Sequence, residues 1–529
     1  MKILLIALML ATLHGHAGAA DLPKFAVMEY RVEGNTVLPN LAIERALMPH
    51  MGETRTIDDV QQARKALENA YHDAGYLTVF VDIPEQKVGS GVVVLKVTEG
   101  SVERLRVTGS RYYALGEIKA AVPSLAEGQV PNFEDVQQEM AALARTPGRQ
   151  VTPVLKPSRT PGKVEVDLKV VDELPLHADI ELNNRYSANT SHLRLSGNVG
   201  YDNLWQRGHK LSIGFQLAPE HTQDARVLSA TYLMPVGKSG QALALYGVVS
   251  RSDVALAGET TVLGDANIAG ARWVVPLPVR EAATKDDTFY HSLTLGVDYK
   301  DFKENVLFGA DKLQTPISYL PFSLAYNAGQ LTPTGNTSVN LAANFSLRGL
   351  ADETIECTPG NYQNEFECKR FGAEANYFYL RGELSRLQKF GEDWALQARL
   401  GAQAASGPLI SSEQFTAGGM DTVRGYLESE ALGDHGALFS IEGRRLLNWP
   451  VQGGLSGDVH AFVEGAYLRN SDVLPGTPSF YRLLSAGLGL RMNAKHGLHL
   501  GLDLAQALQT STYTRSGDRR THFRLGYDF

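Results

Sequence analysis

Beyond its first twenty residues, the sequence has no apolar run of roughly 18 residues or more, which excludes ordinary transmembrane helices. It also lacks a cationic excess: 50 lysines and arginines stand against 58 aspartates and glutamates, a net charge of −8. A nucleic-acid partner, which would call for a basic patch, is therefore not expected. No Gly-x-x-x-x-Gly-Lys run occurs, so nucleotide hydrolysis by that route is not expected either. Cysteine is scarce, with Cys357 and Cys368 the only two in 529 residues. A chain of this length is expected to hold more than one domain.

What is present begins with "MKILLIALMLATLHGHAGAA". One lysine precedes an apolar run from Ile3 to Leu13, and Gly18 and Ala20 would flank a cleavage before Asp21. Residues 1–20 are expected to be a secretory signal peptide. The alternative, a buried N-terminal helix, is disfavoured because the run shows no helical stripe. Export would expose both cysteines to an oxidising compartment. They share one short segment, "ETIECTPGNYQNEFECKR", so a local disulfide pinning a loop is expected. A metal site would need more ligands than this segment offers, and no metal or other cofactor is expected.

From Ala26 a pattern repeats. "EYRVEGNTVLP" reads as a strand running into a turn, and "LAIERALMPHMG" and "TIDDVQQARKALENAYHDAGY" space apolar residues as helices do. Thr56 and Asp59 form a start signal like a capping box, and Gly75 stops the second helix. "LTVFVDIPEQ" and "GVVVLKVTEG" alternate as strands. The same strand, two helices and two strands return from "VERLRVTGS" to "GKVEVDLKVVDE", an internal repeat. The expected bounds are 25–99 and 101–173.

From Leu176 the helical pattern gives way to segments of roughly ten residues in which apolar and polar positions alternate, the pattern of a transmembrane β-barrel. In "SVNLAANFSLRG", Val339, Leu341, Phe345 and Leu347 alternate with Asn340, Asn344, Ser346 and Arg348. A soluble β-sandwich also alternates. The polar register here, however, carries charges and amides that a sandwich core could not bury unpaired, whereas a watery lumen accepts them. The fold class expected is α+β tandem domains followed by an antiparallel transmembrane β-barrel of about sixteen strands over 176–529, an even number as in bacterial barrels. With both barrel ends on the inner side, the cysteine segment and "FTAGGMDTVRGYLESEALGDHG" become external loops, the latter the sixth.

The two βααββ units resemble POTRA domains. "VEGNTVLP", "GYLTVFVDIPEQ" and "VTEG" are close to the first POTRA of two-partner secretion outer-membrane transporters, the FhaC/ShlB group. The final strand "HFRLGYDF" sets Phe523, Leu525, Tyr527 and Phe529 on one face and resembles the barrel assembly signal of outer-membrane proteins. "SSEQFTAGGMDTVRGY" resembles the family's sixth loop, whose Val-Arg-Gly-Tyr tip folds back into the barrel. That resemblance implies a lock at Val423, Arg424, Gly425 and Tyr426, with Arg424 meeting an acid on the barrel wall. In "DVHAFVEGAYL" the partners are Phe462 and Glu464, with Glu where the family has Asp and Ala466 where it has Gly. An arginine suits this task because its planar fork grips a carboxylate through two parallel hydrogen bonds.

The family implies secretion of a large unfolded exoprotein, an adhesin, haemolysin or contact-dependent toxin, captured by periplasmic POTRA units through strand addition. Its other implied partners are outer-membrane lipid and, during biogenesis, the barrel assembly machinery. The runner-up is an assembly factor that inserts other barrels, which usually carries more POTRA units. A diffusion porin would lack them. An enzyme would need a nucleophile with a nearby His and acid; the 14 histidines show no such spacing, and His460, His496 and His499 read as solvated wall or turn residues. No catalytic residue is expected. The family usually begins with a helix that plugs the pore, for which little sequence precedes the first POTRA strand, so occlusion by the sixth loop alone is expected.

Overall fold

The computed structural model describes residues 23–529, apart from 145, 147, 238, 252–253, 256–261, 264, 279–286, 304, 309–310, 315, 351–352, 359 and 450–453. The expected signal peptide lies outside the described residues. The chain divides into two compact units, Met1–Leu174 and Pro175–Phe529.

The first unit holds the repeat. In its first half, β1 (Phe25–Val27) pairs with β3 (Gly52–Arg55) in a small ribbon that the sequence pattern did not suggest. The main sheet runs β2 (Glu29–Glu33), β5 (Val92–Glu99) and β4 (Val79–Asp82), with β2 parallel and β4 antiparallel to β5. Two helices, α1 (Asn40–Leu47) and α2 (Ile57–Asp73), pack on this sheet. In α2, Val60, Ala63, Leu67 and Tyr71 fall at helical spacing and are buried against Val79, Val81, Val93, Leu95 and Val97. Burial of a side chain such as Leu67 contributes roughly 1.5–3 kcal/mol. Thr56 and Asp59 close a reciprocal capping box.

The second half repeats this with β6 (Ser101–Thr108), α3 (Leu115–Ala120), α4 (Phe133–Ala144), β7 (Arg149–Pro157) and β8 (Lys163–Asp172) in the sheet order β6-β8-β7. The equivalence extends to single atoms. Gly34 and Gly109, one residue past β2 and β6, both have positive φ, at 92° and 89°. A Cβ at either would lie 2.4 or 2.3 Å from the carbonyl oxygen of Val97 or Val170, so only glycine fits. The turn that follows each is held by an acid from the sheet's central strand. Glu99 accepts from the N–H groups of Thr36 (2.7 Å) and Val37 (3.1 Å), and Asp172 accepts from those of Arg111 and Tyr112, both at 3.0 Å.

The second unit is a closed antiparallel barrel of sixteen strands, counting the short Ile317–Tyr319 with the strand it leads into. In chain order, strands one to five are Leu176–Asn183, Arg194–Leu204, His209–Leu217, Arg226–Val236 and Gln241–Ser250. Strands six to ten are Ala266–Pro276, Thr288–Phe302, Pro321–Thr332, Gly335–Ser346 and Phe378–Phe390. Strands eleven to sixteen are Trp394–Ala405, His435–Trp449, Leu455–Arg469, Phe480–Asn493, Leu498–Ala507 and Arg519–Asp528. Closure pairs the two edge strands of the sheet with each other. Strand one pairs with strand sixteen from Asn183↔Arg524 to Asp179↔Asp528. Beyond that ladder the Asn184 side chain extends the seam, accepting from Phe523 N (2.9 Å) and donating to Thr521 O (2.7 Å). Outward positions such as Ile213, Leu295, Leu341, Leu400, Val463 and Leu504 are exposed apolar side chains, as lipid contact requires.

Cys357 and Cys368 are joined in the fifth external loop. Just beyond Cys357, α5 (Glu365–Lys369) inserts Phe366 into an apolar core at the external mouth. Val227, Val248, Phe302, Tyr319, Tyr377 and Tyr379 from the barrel surround it, together with Leu409 and Ile410 from the base of the sixth loop. The base of the sixth loop thus packs against the fifth loop at the mouth.

Candidate functional site

The sixth loop, residues 406–434, is long, polar and almost wholly buried, which an ordinary surface loop could not sustain. Its base is held by two buried acids. Glu413 accepts from Lys300 Nζ (2.7 Å), Tyr319 Oη (2.5 Å) and Tyr379 Oη (2.8 Å). Asp434, fully buried, accepts from Arg370, from the N–H groups of Leu409 (2.9 Å) and Ser471 (2.8 Å), and from Gln414 Nε2 (3.1 Å). One carboxylate thus ties together the two feet of loop six and the loops on either side.

The tip lies against strands twelve to sixteen. Arg424 is only 4% exposed. Its Nη2 donates to Glu464 Oε1 (2.7 Å) and Glu442 Oε2 (2.8 Å), its Nε lies 3.1 Å from Glu464, and its Nη1 is 3.3 Å from Asp503 Oδ1. The Arg424 backbone N–H also donates to Glu464 Oε2 at 2.7 Å, so a single carboxylate fixes both main chain and side chain. The Phe462 ring lies beneath the guanidinium, 3.4 Å from Cζ to ring centroid, adding cation–π attraction where water is excluded. Gly425, at φ 95°, approaches strand fifteen so closely that a Cβ would lie 3.4 Å from Ala505 Cβ and Ala507 N. Tyr426 is fully buried and its hydroxyl donates to Gln509 O at 2.7 Å. Val423 packs with Phe415, Leu438 and Leu468.

Sequence reasoning named Arg424, Phe462 and Glu464, which the structure brings together, but missed the other members of this cluster. Glu442, on strand twelve, receives Arg491 (2.7 Å) and Arg444 (2.7 Å) as well as Arg424. His460 is not a solvated wall residue: its Nδ1 is 2.8 Å from Asp458 Oδ1 and its Nε2 2.7 Å from Asp503 Oδ1. Each ring nitrogen thus meets a carboxylate oxygen. Arg424, Arg444, Arg491 and His460 thus share four carboxylates, Glu442, Asp458, Glu464 and Asp503. His522 differs: its Nε2 accepts from the Gly425 N–H at 2.9 Å, so its proton sits on Nδ1. The signal for these residues was in the alternation itself, because Ile441, Leu502 and Leu525 point outward and so turn Glu442, Asp503 and His522 inward.

Tyr527 and Phe529 stand apart from the lock, on the outer face at the other end of the barrel. Their rings meet edge to face at 4.6 Å, and the Phe529 N–H donates to Ala178 O at 2.8 Å. His499 lies near Glu181 and Asp528 at that same end.

Residues 25–100 match the family model of the ShlB-type POTRA domain, and residues 162–491, more than half the chain, match that of the haemolysin secretion/activation protein ShlB/FhaC/HecB. The chain belongs to the ShlB/FhaC/HecB family. The outer-membrane transporter CdiB of Dickeya dadantii is 25% identical over 469 residues, covering 85% of this chain and 77% of that protein. The heme/hemopexin transporter protein HuxB of Haemophilus influenzae is 19% identical over 474 residues, 88% of this chain and 80% of its own. In structure the chain is similar to CdiB from Escherichia coli, with a TM-score of 0.59 at 19% identity over 97% of this chain and 92% of that one, a likeness of fold. As a ShlB/FhaC/HecB protein it is an outer-membrane secretion transporter with POTRA units in the periplasm, and the expected fold class is borne out.

Proposed function

We propose that this ShlB/FhaC/HecB-family barrel exports one large exoprotein of the adhesin, haemolysin or contact-dependent toxin kind, unfolded in the periplasm and received there by its POTRA units, 25–99 and 101–173. The observation that carries the reading is the buried contact of Arg424 with Glu464, Glu442 and Phe462. It makes the sixth loop a fixed internal element of the barrel, at Val423–Tyr426, and not a mobile surface loop. Phe462 and Glu464 are its wall partners, and the Cys357–Cys368 bridge steadies the neighbouring loop. The role is transport; among the described residues His460 lies between two carboxylates and His522 accepts from a loop amide. Tyr527 and Phe529 present the terminal aromatic face that the barrel assembly machinery would read during insertion into outer-membrane lipid.

Co-expression with candidate exoproteins, scored by their appearance in culture supernatants, tests the reading. Release of one of them that depends on this chain supports it. Release of none from a panel spanning adhesins, haemolysins and contact-dependent toxins, by a barrel shown to be assembled, would overturn it.

A further inference from the structure

Arg370, Arg424, Arg444 and Arg491, inside the barrel, each meet a carboxylate. Arg469 and Arg482, at the external ends of strands thirteen and fourteen, do not: among the described residues neither forms an ion pair. Their neighbours Leu468 and Leu483 point inward, buried in the core around Val423 and Tyr426. Strand alternation therefore sets both arginines on the outer face, where they are exposed. Two rings share that face. Arg469 lies opposite Phe480 and Arg482 opposite Tyr467, and the rings stack at 6.2 Å. The Arg482 Cζ is 5.1 Å from the Phe480 centroid and 5.8 Å from that of Tyr467, so the guanidinium is held between them. Further toward the periplasm the same face turns apolar, with Leu484, Leu488, Val463 and Val459 outward and partly or well exposed.

We propose that Arg469 and Arg482 bind the phosphate of an outer-leaflet lipid, whose acyl chains lie along the apolar column beneath them. A cation on the lipid face of a barrel is destabilising in proportion to its depth, and it is tolerated where headgroups begin. Tyrosine and phenylalanine rings beside it mark that level, since aromatic girdles sit at the interfaces. An arginine there, lacking a carboxylate of its own chain, is matched by an anion of the membrane, and its planar fork suits phosphate oxygens. As diagonal neighbours on adjacent strands the two arginines stand roughly 7–8 Å apart, a gap that one phosphate bridges with bonds to both. The site also backs onto the lock. Leu468 and Leu483 press on the loop-six core from the other side of the same backbone, and the Leu484 N–H donates to Tyr426 Oη at 3.2 Å. A lipid held here would brace from outside the strands against which the loop tip rests.

Native mass spectrometry of the full-length transporter in mild detergent tests this, with bis-phosphorylated lipid A, its dephosphorylated form and inorganic phosphate as probes. The unsubstituted chain is expected to retain phosphorylated lipid A and to release the dephosphorylated form. Arg469→Gln with Arg482→Gln should lower retention by about tenfold or more, as the loss of bonds to a charged group implies. The doubly lysine-substituted chain should keep most of it. Arg445, which lies over the Trp394 ring at the opposite end of the barrel, is the control, and Arg445→Gln should leave retention unchanged. Equal retention by the glutamine pair, or a loss as large from Arg445→Gln, overturns the proposal. So does displacement of lipid A by inorganic phosphate at equal concentration, which would make the site one for a free anion. Should the glutamine pair fail to assemble, judged by heat-modifiable migration, the two forms of lipid A on the unsubstituted chain decide alone: equal retention of both overturns the proposal.

Discussion

The two halves of the barrel interior use opposite chemistry on the same scaffold. Strands twelve to sixteen bury Glu442, Asp458, His460, Glu464, Asp503 and His522 around one loop arginine, with Arg491 partly exposed beside them. Strands two to nine carry hydroxyls and amides at mid-barrel, and inward charges among them are paired one to one, Arg272 with Asp298, Lys210 with Asp202 and Lys300 with Glu413. Both satisfy the strand rule that inward residues be polar, and a hydropathy pattern does not tell them apart. The difference lies in how tightly each holds what it touches. A network of buried, charge-assisted bonds fixes one geometry, because leaving any member unpaired is costly. A neutral wall exchanges partners at little cost. One half is built to hold and the other to let go.

Removing the cation from the holding side is the most severe way to break this comparison. Arg424→Ala leaves Glu464, Glu442 and Asp503 facing one another without their shared partner, and breaking a buried pair costs about 3–5 kcal/mol. The loop tip is expected to detach while the barrel stays assembled, since the tip contributes no strand to the ladder. Secretion should be largely lost, with heat-modifiable migration on gels retained. Arg424→Lys should fail almost as badly, because an ammonium cannot reach Glu464 and Glu442 in the forked geometry seen here. Secretion at the unsubstituted level by either variant would remove the lock from the mechanism.

Adding charge to the hydroxyl and amide side should do less. Asn327→Asp or Asn327→Lys places a fixed charge among neutral groups that touch Asn340 and Thr294. Both are expected to slow secretion several-fold, whereas Asn327→Ser should leave it near normal, as judged by timed supernatant sampling. Equal rates for all three variants would mean that neutrality of this wall has no consequence.

A smaller effect is expected at the mouth, where the two halves share a seal. Arg370→Ala takes the guanidinium from the buried Asp434 carboxylate, and hydrogen bonds to a charged group contribute about 1.5–3 kcal/mol. Leu409, Gln414 and Ser471 still hold Asp434, so loop six should stay in place while loop five loosens. Single-channel conductance in planar bilayers is expected to rise, with secretion preserved. Unchanged conductance would show that Phe366 seals the mouth without this tether.

Most of the architecture was legible because it follows from local periodicity. The spacing of Val60, Ala63, Leu67 and Tyr71 marks a helix whatever surrounds it, and the alternation through Leu341 and Phe345 marks a half-buried strand. Motif resemblance pointed to Arg424 and Glu464. What stayed hidden depends on pairing between distant strands. Glu442 lies opposite Phe462 across the ladder, and Asp503 reaches His460 across forty-three residues of sequence, neither of which a linear pattern encodes. The role of Phe366 was hidden for a related reason. A loop sequence rich in polar residues gives no sign that one aromatic turns back into a barrel mouth, because its partners, Tyr319 and Tyr377, are themselves brought together only by the pairing of strands eight to ten.

The gentlest test asks what the same ion pairing is worth in water. Asp167 on β8 accepts from Lys156 Nζ (2.8 Å) and Arg106 Nε (3.0 Å), as Glu464 does from Arg424, but the Lys156 and Arg106 side chains are 51% and 56% exposed. The hydrogen bonds from Lys156 and then Arg106 hold its carboxyl down at about 2. A depressed carboxyl stabilises the fold above its unfolded value, and that contribution is lost as pH falls through the folded one. Asp167→Asn should therefore weaken hydrogen-exchange protection of Lys163–Asp172 slightly near neutral pH. The difference from the unsubstituted chain should vanish as pH drops from about 4 toward about 2. It should also shrink in high salt, because exposed charges are screened within a Debye length of about 10 Å at 0.1 M. Secretion lost by Arg424→Ala should not be mimicked by salt in the unsubstituted protein, since Arg424, Glu442 and Glu464 are buried and in direct contact. Were both responses to salt the same, burial would not be what separates the holding wall from an ordinary charged surface.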